Sequence, residues 1–262
     1  MRSRLGRFLL GAVVAIIAVI GYLNKSQVNP VTGEKQRVSL TPEEEVALGL
    51  QSAPIMTEQF GGLYRDPEAQ QAIKMIGHKL VQNSDASRSP YRFDFHILAD
   101  AQTVNAFALP GGQIFITLAL LQRLKTEDEV AGVLAHEIGH VVGRHSAEQM
   151  ATQELMSGLA GAATIALSEP GSEQGSAYVA QYVANILNLK YGREDELESD
   201  EFGVKYLIQA GYNPEALIQV MNVLMEASGG NNGPEFASTH PSPVNRIEKI
   251  KSAIEKHSQL LH

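Results

Sequence analysis

The chain has no cysteine, which excludes disulfides, thiol catalysis, cysteine-based zinc fingers and lipidation at cysteine. Positive charge is scarce: 21 Lys and Arg face 29 Asp and Glu, for a formal net charge of −8. Without Arg2, Arg4 and Arg7 the 21 basic residues become 18, and the remaining body carries −11. An acidic body of this kind is a poor nucleic-acid binder. Beyond the N-terminal segment there is no long apolar run, and no internal repeat is apparent. What is present is 262 residues that are 44% hydrophobic and 19% charged, enough for one substantial folded domain.

The N-terminus reads as a targeting segment. Three arginines within Met1–Arg7 precede the apolar run Phe8–Leu23. Those 16 residues would extend about 24 Å as a helix, against about 30 Å of bilayer hydrocarbon. Residues 1–23 are therefore a signal peptide or a minimal membrane anchor. Flanking arginines place the body outside the cytoplasm. Export to the periplasm, or to the outer face of a bacterial cytoplasmic membrane, is the expectation. If the segment is uncleaved, the protein associates with the membrane. Residues 24–40 read as a polar linker with turn signals at Asn29-Pro30 and Thr32-Gly33.

The most informative motif is His136-Glu137-Ile138-Gly139-His140, an H-E-x-x-H pentapeptide. Helical positions four apart differ by about 40° of rotation and about 6 Å of rise, so both imidazoles share one face. That arrangement suits two nitrogen ligands of a tetrahedral zinc, with Glu137 beside the metal to take a proton from water. A chance match on an amphipathic helix competes with this reading, and the context argues against it. Thr126 followed by Glu127, Asp128 and Glu129 has the form of an N-cap with an acidic first turn. Val130, Val133, Leu134, Ile138, Val141 and Val142 then recur at helical spacing, and Gly143 offers a stop.

A third ligand is needed. In the extended form with three histidines, the last would fall at position 146, which is Ser146. His145 is one residue short, and on a continuous helix it would lie about 140° from His140 and point away from the metal. The downstream stretch Arg193–Gly203 is the better source. There Glu196 and Asp200 lie four apart on one helical face, a pairing in which the first coordinates and the second orients a ligating histidine. Spacing alone leaves Glu194, Glu198 and Glu201 open as alternatives to Glu196.

Four segments occur in order: Val104-Asn105-Ala106-Phe107-Ala108-Leu109-Pro110-Gly111-Gly112, the H-E-x-x-H helix with Arg144-His145, Glu196-x-x-x-Asp200, and Thr239-His240-Pro241-Ser242 through Arg246-Ile247. Together, from roughly Thr41 to the C-terminus, they resemble the zinc peptidase family of HtpX-type and CAAX-prenyl-type endopeptidases, in particular its soluble periplasmic branch. The resemblance implies one Zn²⁺ per chain held by His136, His140 and Glu196, with Glu137 as catalytic base and Asp200 behind the ligands. It implies polypeptide substrates, expected to be misfolded or misassembled envelope proteins, that bind beside an edge strand near Asn105, Ala106, Gly111 and Gly112. His240 would approach the zinc, either stabilising the oxyanion or occupying the water position in a latent state. Arg246 is an ion-pair partner or helix-start residue. The chain lacks the internal apolar segments of multi-spanning members, which argues against prenylated peptides as substrates. A chaperone-like client holder and a zinc hydrolase of small amides stay open as alternatives.

The expected fold is α+β: a predominantly helical, zincin-like (gluzincin) metallopeptidase domain over residues 41–262, with one small β-sheet. Helices are expected near 43–59, 67–83, 118–124, 127–142, 145–166, 176–190, 195–210, 214–228 and 243–258. Strands are expected near 92–98, 104–107 and 113–117. The Ala/Gly-rich stretch Leu155–Ser168 is too short to span a bilayer and reads as a packed helix or a flap over the site.

Overall fold

The computed structural model describes residues 4–167, 191–227, 240 and 245–259. Helix α1 (Arg4–Asn24) leads into a two-stranded antiparallel hairpin, β1 (Ser26–Val28) and β2 (Lys35–Arg37). Helices α2 (Pro42–Gln59) and α3 (Pro67–Gln82) follow. A mixed sheet comes next, made of β3 (Asp94–Leu98), β4 (Ala106–Leu109) and β5 (Gln113–Thr117). The rest is helical: α4 (Leu118–Leu121), α5 (Glu127–Gly143), α6 (His145–Leu167), α7 (Arg193–Ala210), α8 (Ala216–Ala227) and α9 (Arg246–Ser258). The expected helix near 176–190 lies outside the described residues.

The helix starts obey local chemistry. Thr41 caps α2 in a reciprocal capping box with Glu44, and Pro42 occupies the first turn, where its missing N–H costs nothing. Asp66 caps α3 by accepting from Glu68 N and Ala69 N. Thr126 caps α5 through Glu129 N.

The sheet order is β3-β5-β4, with β3 parallel and β4 antiparallel to the central β5. Strand alternation assigns its two faces. Ile114 and Ile116 join Phe95 and Ile97 in the main core beneath α3 and α5. Phe115 and Leu98 point the other way, into a second cluster with Met56 and Phe60 of α2. Strand β4 forms one edge of this sheet. One small sheet was expected, yet the segment read as a polar linker carries a second one. Only three residues per strand pair there, too few to leave an alternating pattern in the sequence.

The turn between β4 and β5 needs its glycines. Gly111 and Gly112 have φ of +80° and +107°, values that L-residues rarely adopt. A Cβ on Gly111 would stand 2.4 Å from Val46 Cα, and one on Gly49 would stand 2.0 Å from Pro110 O. The turn is therefore clamped against α2. Helix α6 packs along α1, where Gly158 would bring a Cβ within 3.0 Å of Ala18 Cβ. Among the described residues, no helix is long and apolar enough to cross a membrane.

Helix α5 is buried from Glu129 to Gly143, as suits a helix with neighbours on every side. Its closest neighbour is α7. A Cβ on Gly139 would lie 2.9 Å from Ser199 O, and one on Gly203 would lie 3.4 Å from His136 N. Gly139→Ala would force these helices apart. Overpacking of this kind costs about 1–3 kcal/mol, so the variant should unfold at lower urea concentration with an unchanged denaturant slope.

Candidate metal centre

The close approach of α5 and α7 brings three donor side chains together, and His240 joins them. Ligand-capable atoms of His136, His140, Glu196 and His240 all lie within 4.8 Å of one another, and all four residues are buried. His136 Nε2 is 3.1 Å from His140 Nε2 and 3.4 Å from His240 Nδ1. Glu196 Oε1 is 3.4 Å from His140 Nε2 and 2.9 Å from His240 Nδ1, while Oε2 is 3.5 Å from His136 Nε2.

Behind the first histidine, His136 Nδ1 lies 3.0 Å from Asp200 Oδ1. Arg246, the first residue of α9, grips that carboxylate through two bonds: Nε donates to Oδ2 at 2.6 Å and Nη2 to Oδ1 at 2.9 Å. Its third nitrogen, Nη1, is 2.9 Å from Glu196 Oε2. The Tyr191 ring stacks on His140 at 3.8 Å, and its hydroxyl lies 3.0 Å from Ser146 Oγ.

Glu137 is fully buried, and neither carboxylate oxygen has a hydrogen-bond partner among the described residues. The nearest cationic candidate is His240 Nε2, 3.8 Å from Oε1. Burial pushes the Glu137 carboxyl above its ordinary range, with His240 and His136 opposing. For Glu196 burial acts in the same sense but loses to the neighbouring His240 and His140, which hold it well below the usual carboxylate range. Burial drives the His140 imidazole toward its neutral form, the one that coordinates metals.

The profile described as Peptidase family M48 matches residues 67–254. The chain belongs to peptidase family M48. A β-barrel assembly-enhancing protease of Yersinia pestis is 29% identical over 252 residues, covering 93% of this chain and 51% of that protein. The mitochondrial metalloendopeptidase OMA1 of Schizosaccharomyces pombe is 37% identical over 166 residues, covering 62% of this chain and 47% of that protein. The β-barrel assembly-enhancing protease of Escherichia coli K12 is 30% identical over 198 residues, covering 72% of this chain and 40% of that protein. The chain thus spans about half the length of the curated relatives it matches, or less.

Membership of M48 implies a metal, and the donor set fits one. Ligands about 2.0–2.1 Å from a tetrahedral zinc stand about 3.3–3.4 Å from each other. The 3.1–3.5 Å separations among His136, His140 and Glu196 match that spacing. With Nδ1–H of His136 donating to Asp200, its Nε2 presents a lone pair to the shared centre. Glu196 and Asp200, both held below the ordinary carboxylate range, share one arginine, Arg246, so a cation at the shared centre would offset the remaining buried negative charge.

Sequence reasoning brought together His136, Glu137, His140, Glu196, Asp200 and His240, and the structure places all six in one cluster. Of the alternative acids, Glu198 sits outside the donor set, and Glu201 pairs with Lys256. Asn105, just before edge strand β4, and Ala106, its first residue, are buried, as are Gly111 and Gly112 against α2 and residues 92–93. Sequence reasoning missed Tyr191, for which no motif gives a signal. It also missed the partner of His140 Nδ1, which is His145 at 2.9 Å. Arg246→Met would leave Asp200 and Glu196 without their buried cation. A loss of about 3–5 kcal/mol is expected, measurable by urea denaturation.

Proposed function

We propose that this chain is a zinc-dependent endopeptidase that hydrolyses peptide bonds of protein substrates, with misfolded or misassembled envelope proteins as the substrate class. The observation that carries this reading is the buried carboxylate of Glu137 beside three converging donors, His136, His140 and Glu196. A zinc ion held by those three residues supplies Lewis acidity, which lowers the pKa of water toward about 7. Glu137 accepts the proton of the attacking water and returns it to the leaving amine. Its burial, by raising the carboxyl above its ordinary range, moves it toward the working pH of a general base. Asp200, fixed by Arg246, holds the His136 ring with its Nε2 toward the ligand centre.

An extended peptide adds along the edge strand β4, where main-chain hydrogen bonds give affinity with little regard to sequence, while buried Asn105 and Ala106 hold that strand rather than touch substrate. The clamped turn at Gly111-Gly112 keeps that edge in place rather than touching substrate. The relatives named for β-barrel assembly support the choice of envelope proteins as substrates. Export is supported by Arg2, Arg4 and Arg7 at and before the start of α1, and membrane association by the helix's exposed Leu5, Phe8, Leu9, Ile16, Ile17 and Ile20.

His240 takes the latent role. Its Nδ1 belongs to the donor cluster and sits 2.9 Å from Glu196 Oε1, so it fills space that water and substrate need. Two measurements test these assignments, both by casein digestion with and without chelator. Glu137→Gln should keep its zinc and lose about 10²–10⁴-fold in kcat; digestion persisting at the parental rate would refute the mechanism. His240→Ala should digest faster than the parent. A lower kcat at unchanged KM would assign His240 to the oxyanion instead, and an unchanged rate would remove both roles.

A further inference from the structure

The two histidines of the pentapeptide are supported in different ways. His136 rests on Asp200, and Asp200 on Arg246. Among the described residues, no carboxylate stands at the Nδ1 of His140. It faces another imidazole, His145 Nδ1 at 2.9 Å, and the far nitrogen of that ring, Nε2, is 3.1 Å from Glu198 Oε2. His145 is buried, while the Glu198 side chain is 35% exposed. Glu198 and Asp200 both line a surface cleft between α7 and α9, with Thr32 and Glu34 of the N-terminal hairpin at its edge.

Backbone geometry explains how a residue five positions on reaches back to His140. A continuous helix would turn His145 away. Instead Arg144 takes a left-handed conformation, φ 60° and ψ 27°, which ends α5 and starts α6 at His145. A non-glycine residue rarely adopts this region. Arg144 is held there by Nε donating to Glu45 Oε1 at 2.8 Å, Nη1 to Gln27 Oε1 at 3.0 Å and Nη2 to Leu40 O at 2.8 Å. The turned-back ring then occupies the space over Gly143, where a Cβ would lie 2.3 Å from His145 Nε2.

We propose that His145 and Glu198 are positioning residues for the metal ligand His140, joined as a hydrogen-bonded chain that Gly143 leaves room for. With His140 coordinating through Nε2, the chain has one consistent proton arrangement. His140 Nδ1–H donates to His145 Nδ1, and His145 Nε2–H donates to the Glu198 carboxylate. That arrangement leaves His140 Nε2 bare for coordination and fixes the ring plane. The proposal rests on the reading of the cluster as a metal site, and its test separates the two.

Zinc affinity of the full chain is measured by competition with a chromophoric chelator, alongside the visible spectrum of the cobalt(II)-substituted form and thermal unfolding of the metal-free form. Removing an outer partner of a ligating histidine typically costs about 10–100-fold in metal affinity. Glu198→Ala should show that loss and a changed cobalt spectrum, with metal-free unfolding unaltered, because Glu198 is partly exposed. Glu198→Gln, whose amide oxygen still accepts from His145, should restore parental affinity. Gly143→Ala should bind zinc more weakly because its methyl displaces the buried His145 ring, and alanine's helix preference should offset only part of the overpacking in the metal-free unfolding. Parental affinity in both Glu198→Ala and Gly143→Ala, or equal weakness in Glu198→Ala and Glu198→Gln, would overturn the positioning chain while leaving the metal site standing. A parent chain that binds no divalent metal would overturn both.

Discussion

Everything at the centre depends on how closely α5 and α7 approach. Gly139 lets the backbone of Ser199 come into contact, and Gly203 does the same for the backbone of His136. Glycine inside a helix costs about 0.5–1 kcal/mol relative to alanine. Here two such positions, one on each helix, remove the side chains that would hold the axes apart. The contact fixes rotation as well as distance. With Ser199 against Gly139, the residues on either side of it, Glu196 and Asp200, turn toward the histidines. One packing constraint therefore delivers both the acidic donor and the carboxylate that orients His136.

Much of this was legible because it is local and periodic. The H-E-x-x-H spacing, the Thr126 cap and the Glu196/Asp200 pair each follow from helical repeat and end chemistry, and the structure keeps them. Choosing Glu196 over Glu194, Glu198 and Glu201 was beyond spacing, because the rotation of α7 about its axis is set by Gly139 and Gly203 in three dimensions. His145 lies outside the donor set, as expected, but its contact with His140 was beyond spacing for a comparable reason. The stop was assigned to Gly143, but the left-handed residue is Arg144. Its conformation is imposed by a partner 99 residues away in sequence, Glu45, and no local rule can report that. The hairpin at 26–37 was read as linker because its three-residue strands take their stability from contacts with α5 and α6 rather than from their own pattern.

Those contacts give the N-terminal hairpin a structural role that its composition hides. The last turn of a helix leaves carbonyl oxygens without intrahelical partners. On α5 the carbonyl of Val142 accepts from Asn29 Nδ2 at 2.7 Å, and that of Gly143 accepts from Gln36 Nε2. The buried Arg144–Glu45 pair, completed by Tyr91 Oη donating to Glu45 Oε2 at 2.8 Å, ties the same helix end to α2. Asn29, Gln36 and Glu45 all precede residue 67, where the M48 match begins. The helix that carries the pentapeptide is thus finished by residues outside the part of the chain that defines the family.

A buried ion pair is weak evidence for stability, because desolvation offsets most of the Coulombic gain. Its value at Arg144 is of another kind. Left-handed backbone at a non-glycine residue is a minority state, worth roughly 1–2 kcal/mol of strain, and a helix free to continue through position 144 would swing His145 off His140. Several directional bonds on one guanidinium select the broken helix over the continuous one. The same logic runs through the centre. Arg246 selects one orientation of Asp200, Asp200 one ring plane of His136, and the fold commits its charged groups to a single geometry before any substrate arrives. Such preorganisation suits the proton transfer proposed for Glu137, whose buried oxygens have no hydrogen-bond partner among the described residues.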